Sequence, residues 1–412
     1  MTVTEPDTQG VEAALLVVDP DLAILSADRE TTVVWHTKKT HRVSLRTATA
    51  GLWRAFAVPR TVRSVVEPLV ADSPALRERL YASVAGLREQ GLLVPYLPDG
   101  VTLPTGRGGM FNAPVLPLAD ALRGNASDLV FIGMPYDVGV THHPGSRFAP
   151  NFLRRTSGAL FQYRDTADGP PGAYDPVGGR QLLAGRRLAD VGDISQVVHT
   201  RNGPSFAMLT QVVSATAAAG RLPVVIGGDH SITWPVVQGL TGHHKALGVL
   251  HIDAHTDYAE PRTDGWERDL HHGNVMNWVI GHDSVHRVVQ YGIRQLEQPR
   301  CSPSDKRLVW PGTTAATATP QQLLAQLPED IAYHVTIDVD GLDPSALGST
   351  GTPLPGGFTH RELVALLGLL CRSRRIAGID MVEVLPSASE VDGLVAADVL
   401  LRTVDAATGP RS

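Results

Sequence analysis

The stretch Leu250-His-Ile-Asp-Ala-His-Thr-Asp257 decides how the chain is to be read. An apolar run leads into three ligand-type side chains, Asp253, His255 and Asp257, each two residues from the next. The pattern reads as a buried strand running out into a loop, and on extended chain that spacing turns all three side chains to one side. Two carboxylates flanking a histidine beside a buried run are costly unless they are paired or hold a cation. A capped strand end with hydrogen-bonded turn residues is the plainer alternative for this stretch taken alone.

Two further stretches weigh against that alternative. Val224-Val-Ile-Gly-Gly-Asp-His-Ser231 is an apolar run ending in a glycine pair, Asp229 and His230. Val335-Thr-Ile-Asp-Val-Asp-Gly-Leu-Asp-Pro344 is a β-branched run in which Asp338 and Asp340 share a face. Three strand-like segments ending in Asp or His are what parallel strands give when they deliver ligands to the carboxyl edge of an open sheet. The set of His230, Asp253, His255, Asp257, Asp338 and Asp340 exceeds what one zinc ion takes. It suits two adjacent, oxygen-preferring divalent ions that share carboxylates.

Gly-Gly-Asp-His-Ser (227–231), Asp-Ala-His-Thr-Asp (253–257) and Asp-Val-Asp-Gly-Leu-Asp-Pro-Ser (338–345), in this order, resemble the motifs of the ureohydrolases, arginase, agmatinase and their relatives. The resemblance covers about residues 128 to 405. It implies an α/β class fold, a three-layer α/β/α unit with a mostly parallel sheet, and two Mn(2+) per subunit. It implies one ion held by His230, Asp253, Asp257 and Asp338, and the other by His255, Asp253, Asp338 and Asp340. Asp343 belongs to the motif but is not expected to be a ligand. The histidine directly before Gly273 points to His272 as a proton relay at the site's mouth, with His271 as the spare. Glu383, on the strand-like Ile376 to Pro386, resembles the carboxylate that grips a guanidinium, whose fork it matches. Asp257 is expected to carry protons as well as bind metal. The implied reaction is hydrolysis of a guanidinium to urea and an amine, in a homotrimer or homohexamer.

Some positions depart from the family pattern. Ala259 stands where arginases have an Asn, and Gln295 and Glu297 stand where arginases hold the α-amino group with aspartates. Glu297 remains a candidate for substrate binding. The segment up to His272 also differs in length and composition from both arginase and agmatinase. These departures place free arginine in doubt and favour a guanidinium carried on a larger molecule.

At 412 residues the chain exceeds one ordinary domain. Residues 1–12 read as disordered, 13–97 as a separate small domain, 98–118 as a Pro- and Gly-rich linker, and 119–412 as the hydrolase. The small domain has short β-like runs (Ala14 to Val18, Ile24-Leu25, Thr31 to Trp35, Val43 to Leu45), then helices. Ser73-Pro74 reads as a cap and first-turn proline opening one of them, and Gly91 ends it. Val43-Ser-Leu-Arg-Thr-Ala-Thr-Ala-Gly-Leu-Trp53, the Thr61 to Leu69 helix and Leu87-Arg-Glu-Gln-Gly-Leu-Leu-Val94 resemble the winged-helix-like α+β element by which peptide-maturation enzymes recognise the leader of a ribosomally made precursor. The resemblance implies an extended peptide added beside a strand, and Lys38, Lys39, Arg42 and Arg46 suit an acidic leader. The segment is close to charge-balanced, which speaks against a DNA-binding footprint.

Joined, these features predict conversion of arginine side chains in a precursor peptide to ornithine. A small-molecule ureohydrolase with an accessory domain, acting on agmatine or guanidinobutyrate, is the alternative. A peptide-binding scaffold with an inactive hydrolase half is the alternative of another class. A net charge of −6 argues against nucleic-acid or membrane-surface binding. Cys301 and Cys371 form no CxxC, so neither a disulfide framework nor a zinc site is expected. The N-terminus has no basic region before an apolar run, and no stretch approaches the ~20 apolar residues of a membrane span. A cytoplasmic enzyme is the expectation.

Overall fold

The computed structural model describes residues 15–19, 22–27, 30–36, 41–70, 73–96, 101–102, 108–160, 172–194, 203–263, 265–296, 305–387 and 390–409. They fall into two units, residues 1–100 with 195–205, and 101–194 with 206–412.

The smaller unit holds two three-stranded sheets. In one, β1 (Leu15–Val18) pairs antiparallel with β5 (Arg60–Thr61) and β6 (Leu93–Pro95). In the other, β2 (Leu22–Ala27), β3 (Thr31–His36) and β4 (His41–Arg46) form an antiparallel meander. Helices follow at Thr47–Arg54, Val62–Val70 and Pro74–Glu89. The last starts as its sequence dictates, with Ser73 accepting from Leu76 N–H and Pro74 in the first turn. Leu16, Trp53, Phe56, Val66 and Leu92 form the core, and the Trp53 indole N–H finds the Leu92 carbonyl at 3.1 Å. On β4, Leu45 is buried while Arg42, Ser44 and Arg46, on the opposite face, are exposed.

The larger unit is a three-layer α/β/α structure. Its sheet runs β15-β14-β13-β16-β17-β12-β8-β11-β7. In chain order these are β7 (Val101–Thr102), β8 (Leu129–Gly133), β11 (Leu188–Ile194), β12 (Leu222–Ile226), β13 (Leu247–Ile252), β14 (Val285–Ile293), β15 (Arg307–Pro311), β16 (Ala332–Asp338) and β17 (Arg375–Val382). Eight strands are parallel, and the two-residue β7 is antiparallel at one edge. A short hairpin of β9 (Ala173–Asp175) and β10 (Arg180–Leu182) stands apart from the sheet. β8, β13 and β16 are buried at every position, as near-continuous apolar strands covered on both faces must be. Helices Ala149–Leu160, His360–Ser373 and Val391–Thr408 pack together. Helix Thr233–Thr241 packs against the Val275–Gly281 helix, and its Gly239 lies against Thr210 and Val213.

Two expectations need correction. The stretch read as a linker contributes strand β7 to the sheet and buries Met110 and Phe111 in the core. The central stretch is not extended through Asp257, because β13 stops at Ile252 and the chain turns, reaching φ 46° at Asp257. Among the described residues, no helix is long and apolar enough to cross a membrane.

Candidate active site

The strands that carry the candidate residues, β13, β16, β17 and β12, are four consecutive neighbours in the sheet. Their carboxyl ends therefore open onto one place. His230 follows β12 on a single 3-10 turn capped by Asp229. Asp253, His255 and Asp257 follow β13, Asp338 ends β16 with Asp340 on the next turn, and Glu383 follows β17.

Around His230 the geometry is tight. Its Nδ1 is buried without a hydrogen bond, yet carboxylate oxygens of Asp257, Asp253 and Asp338 lie 3.0, 3.1 and 3.2 Å away. The tautomer follows from the other side of the ring. Thr233 Oγ1 donates to Asp380 at 3.0 Å, so its oxygen accepts from Thr336, 3.2 Å away. Thr336 in turn accepts from His230 Nε2–H at 2.9 Å. With Nε2–H given to Thr336, Nδ1 faces three carboxylate oxygens; burial opposes charge on the ring, but Asp253, Asp257 and Asp338 hold its pKa well above the ordinary value, so Nδ1 takes either a proton or a bound cation in this place. Adjacent ligand atoms of an octahedral ion with bonds of roughly 2.1 Å stand about 3 Å apart, which is the spacing found.

A second group adjoins the first. His255 Nδ1 is 2.9 Å from Asp340 Oδ2 and 3.4 Å from Asp253 Oδ1. Asp253 therefore turns one oxygen to each histidine. Asp338 offers Oδ2 to the His230 group, while its Oδ1 accepts from Asp340 N–H at 3.0 Å. Ligand-type atoms of His230, His251, Asp253 and Asp257 lie close together, as do those of Asp253, His255 and Asp340, so the two groups share Asp253, with Asp338 beside the first. Electrostatics point the same way. Burial, then the charges of Asp340 and Asp253, push the Asp338 carboxyl well above its ordinary range, and burial and Asp253 push Asp340 up to about 6. Burial works against charge on His255, but the Asp253 and Asp340 carboxylates outweigh it and hold the imidazole up to about 11. Like charges crowd here and attract any positive charge.

Glu383 borders the cluster. Its Oε1 accepts from His230 N–H at 3.0 Å and stands 3.1 Å from His272 Nδ1. His272 is held on its far side by Thr141, whose N–H and hydroxyl lie 3.0 and 2.7 Å from Nε2. His271 instead caps the turn, accepting from Gly273 N–H. Asp343 organises its own loop, accepting from Ser345, Gly356 and Gly357, and those donors hold it down to about 2. Glu297, Lys38 and Lys39 lie outside the described residues.

The family comparison agrees with this geometry. The arginase family model matches residues 127–404. The chain belongs to the arginase family. It is a ureohydrolase, a hydrolase of guanidino groups, from a family built around a binuclear metal site. A mitochondrial agmatinase of Gallus gallus is 30% identical over 322 residues, spanning 74% of this chain and 87% of that one. A mitochondrial guanidino acid hydrolase of Homo sapiens is 29% identical over 317 residues, spanning 74% and 84%. Among solved structures, the proclavaminate amidino hydrolase from Streptomyces clavuligerus superposes with a TM-score of 0.62 at 24% identity, covering 76% of this chain and 99% of that one, which supports the fold.

Three buried polar residues of this ureohydrolase escape motif reading: His251, Thr336 and Asp380. His251 and Thr336 stand two residues before Asp253 and Asp338 on the same strand faces, and Asp380 is the cross-strand neighbour of Thr336. That spacing was the available signal.

Proposed function

We propose that this arginase-family enzyme hydrolyses the guanidinium of arginine side chains within a precursor peptide, giving ornithine residues and urea. The observation that carries the chemistry is His230 Nδ1 standing 3.0–3.2 Å from carboxylate oxygens of Asp257, Asp253 and Asp338, beside Glu383. His230, Asp253, Asp257 and Asp338 would hold one divalent ion, and His255, Asp253, Asp338 and Asp340 the other. Manganese suits this carboxylate-rich, imidazole-poor set. What the two ions supply when bound is activation of water near neutral pH.

The chain's own groups do the rest. Glu383, with Oε1 occupied by His230 and His272, has Oε2 to accept a guanidinium N–H and hold the planar group in place for attack by water. Asp257 takes up the proton released from water. His272 passes a proton to the departing nitrogen and recovers it through the Thr141 hydroxyl, which lies on the exposed side of the ring. Water adds to the guanidinium carbon, the carbon–nitrogen bond to the side chain breaks, and urea leaves.

Residues 13–97 are taken as the leader-recognition domain. Among the described residues β4 stands at the edge of its sheet with the exposed Arg42, Ser44 and Arg46 on one face, which supports strand addition of an acidic peptide. A small-molecule substrate is the second reading, favoured by relatives named for agmatine and guanidino acids. A homotrimer or homohexamer is proposed from the family resemblance, with light scattering as its check. The deciding assay is urea release by manganese-loaded full-length protein, given free arginine, agmatine and an arginine-containing leader–core peptide. Peptide turnover that falls at least tenfold in Arg42→Glu/Arg46→Glu, with small guanidines poorly used throughout, supports the peptide reading. Rapid agmatine or guanidino-acid turnover, unchanged by that variant, sinks it. Manganese-loaded protein that turns over none of these compounds leaves the scaffold alternative.

A further inference from the structure

Beneath the ligands runs a second row of polar side chains. Gln290, His251, Thr336 and Asp380 are direct cross-strand neighbours on β14, β13, β16 and β17. All four are fully buried, where a sheet face is ordinarily apolar and every polar atom must find a partner. The Thr336–Asp380 half orients His230, as described above. The Gln290–His251 half has a separate task.

His251 Nε2 lies 2.7 Å from Asp253 Oδ2, and its Nδ1 lies 2.8 Å from Gln290 Nε2. The orientation of the Gln290 amide is fixed by its other partners. Its Oε1 accepts from Arg307 Nε–H at 2.5 Å, and its Nε2 donates to the Thr256 carbonyl at 2.7 Å. An N–H of Gln290 therefore meets His251 Nδ1, which must offer a lone pair. The ring hydrogen sits on Nε2 and points at Asp253. With both nitrogens engaged, His251 has no lone pair for a metal, although it stands within the cluster of His230, Asp253 and Asp257. The chain ends at Arg307, whose guanidinium lies over the Tyr258 ring at 4.9 Å, next to Asp257 in sequence.

We propose that His251 is a positioning residue: held by Gln290 in the Nε2–H tautomer, it fixes Asp253 Oδ2, the oxygen on the His230 side, and so sets the affinity for the divalent ion on that side selectively. This rests on the reading that the site takes two divalent ions. Hydrogen bonds to metal-binding carboxylates orient them, and losing one costs roughly 10- to 100-fold in metal affinity. The Asp253 oxygen facing His255 takes its hydrogen bond from His255 N–H at 2.6 Å, whereas His251 Nε2 bonds the other oxygen.

The test titrates Mn(II) into chelator-stripped full-length protein and follows free Mn(II) by electron paramagnetic resonance. Wild type binds two ions. His251→Phe keeps the ring and loses the donor, so one ion weakens roughly 10- to 100-fold while the other changes less than about threefold. His251→Gln places an amide N–H where Nε2–H stood and restores the weakened ion. Gln290→Met, which frees the tautomer, gives a selective loss of the same ion, smaller than that of His251→Phe. The melting temperature of stripped His251→Phe stays within about two degrees of wild type. Two ions held by His251→Phe with wild-type affinity would overturn the proposal. So would a His251→Gln variant as weak as His251→Phe, or equal weakening of both ions with a fall in the stripped protein's melting temperature. Wild-type protein that fails to bind two ions refutes the two-ion reading itself.

Discussion

Gly228→Ala is the sharpest perturbation of this site that leaves every functional group in place. A Cβ on Gly228 would stand 1.5 Å from the Tyr136 carbonyl oxygen and 2.5 Å from its carbon, where real Cβ contacts essentially never fall under 3.0 Å. The obstacle is backbone, so no rotamer relieves it. The two segments must part by roughly 1.5 Å to restore ordinary contact. That movement has consequences on both sides of the residue. Asp229 N–H donates to the same Tyr136 carbonyl at 2.7 Å, and Gly228's own carbonyl accepts from Glu383 N–H at 2.8 Å. Separation breaks the first bond and shifts His230 relative to Glu383. A misplacement of about 1 Å costs on the order of 100-fold in rate, and a lost buried hydrogen bond adds about 1–3 kcal/mol of instability. Urea release from the best substrate is expected to fall at least 100-fold. Gly273→Ala is the matched control, because its Cβ would meet only the His271 ring at an ordinary 3.5 Å; it retains at least a third of the activity. Wild-type turnover and metal content in Gly228→Ala would show that the close approach of β8's loop to the His230 turn does not set the site.

Further expectations follow from the same contacts. Burial opposes charge on His272, but Glu383, aided by the charges of Asp257 and Asp229, outweighs it and holds the ring up to about 9. In chelator-treated Glu383→Gln the ring is expected to titrate about two units lower by nuclear magnetic resonance, with urea release down roughly 100- to 1000-fold. An unchanged ring titration would remove Glu383 as the cause. Saturating manganese should stabilise stripped protein by roughly 2.7 kcal/mol per independent ion at a hundred times its dissociation constant, read as a rise in melting temperature that chelator reverses; no rise would count against the two-ion site. Arg294 donates to the carbonyls of Asp340, Leu354 and Pro355 at 2.7, 2.7 and 3.0 Å, tying the Asp340 turn to the 351–357 loop. Lysine cannot span that fork, so Arg294→Lys should cost about 1.5–3 kcal/mol in denaturant unfolding and weaken manganese binding through Asp340. Stability and binding both at wild-type levels would make this hub dispensable.

The layered fold and the metal-type cluster were legible because parallel strands write their ends into sequence as apolar runs followed by ligands. His230, Asp253, His255, Asp257, Asp338 and Asp340 converge as their spacing suggested. The physical reason differs at Asp257, where a turn rather than an extended chain brings the carboxylate round. What strand-by-strand reading could not supply is the pairing between strands. Thr336 and Asp380 look like ordinary strand residues until register sets them side by side, and only then does it follow that Thr336 accepts from His230 Nε2–H. The Pro- and Gly-rich stretch before the hydrolase read as a linker because composition signals turns, yet Met110 and Phe111 within it are core residues.

Glu383 shows how the backbone overrides strand parity at this site. On β17, Asp380 faces the polar row, and alternation assigns Val382 to that face and residue 383 to the other. Glu383 nonetheless meets His230 and His272, because its backbone turns left-handed at φ 62° directly after the strand ends. A non-glycine residue in that region costs about 1–2 kcal/mol. The conformation is held by Glu383 N–H on the Gly228 carbonyl, and by the two donors gathered on Oε1. Asp257, the other site carboxylate with positive φ, is held in the same manner by Met276 N–H on its carbonyl at 2.8 Å. The two strained carboxylates stand on the loops after β13 and β17, on either side of β16 in the sheet. Both are therefore aimed by backbone that the neighbouring turns hold in place, and a change in either turn is expected to reach the chemistry before it reaches the fold.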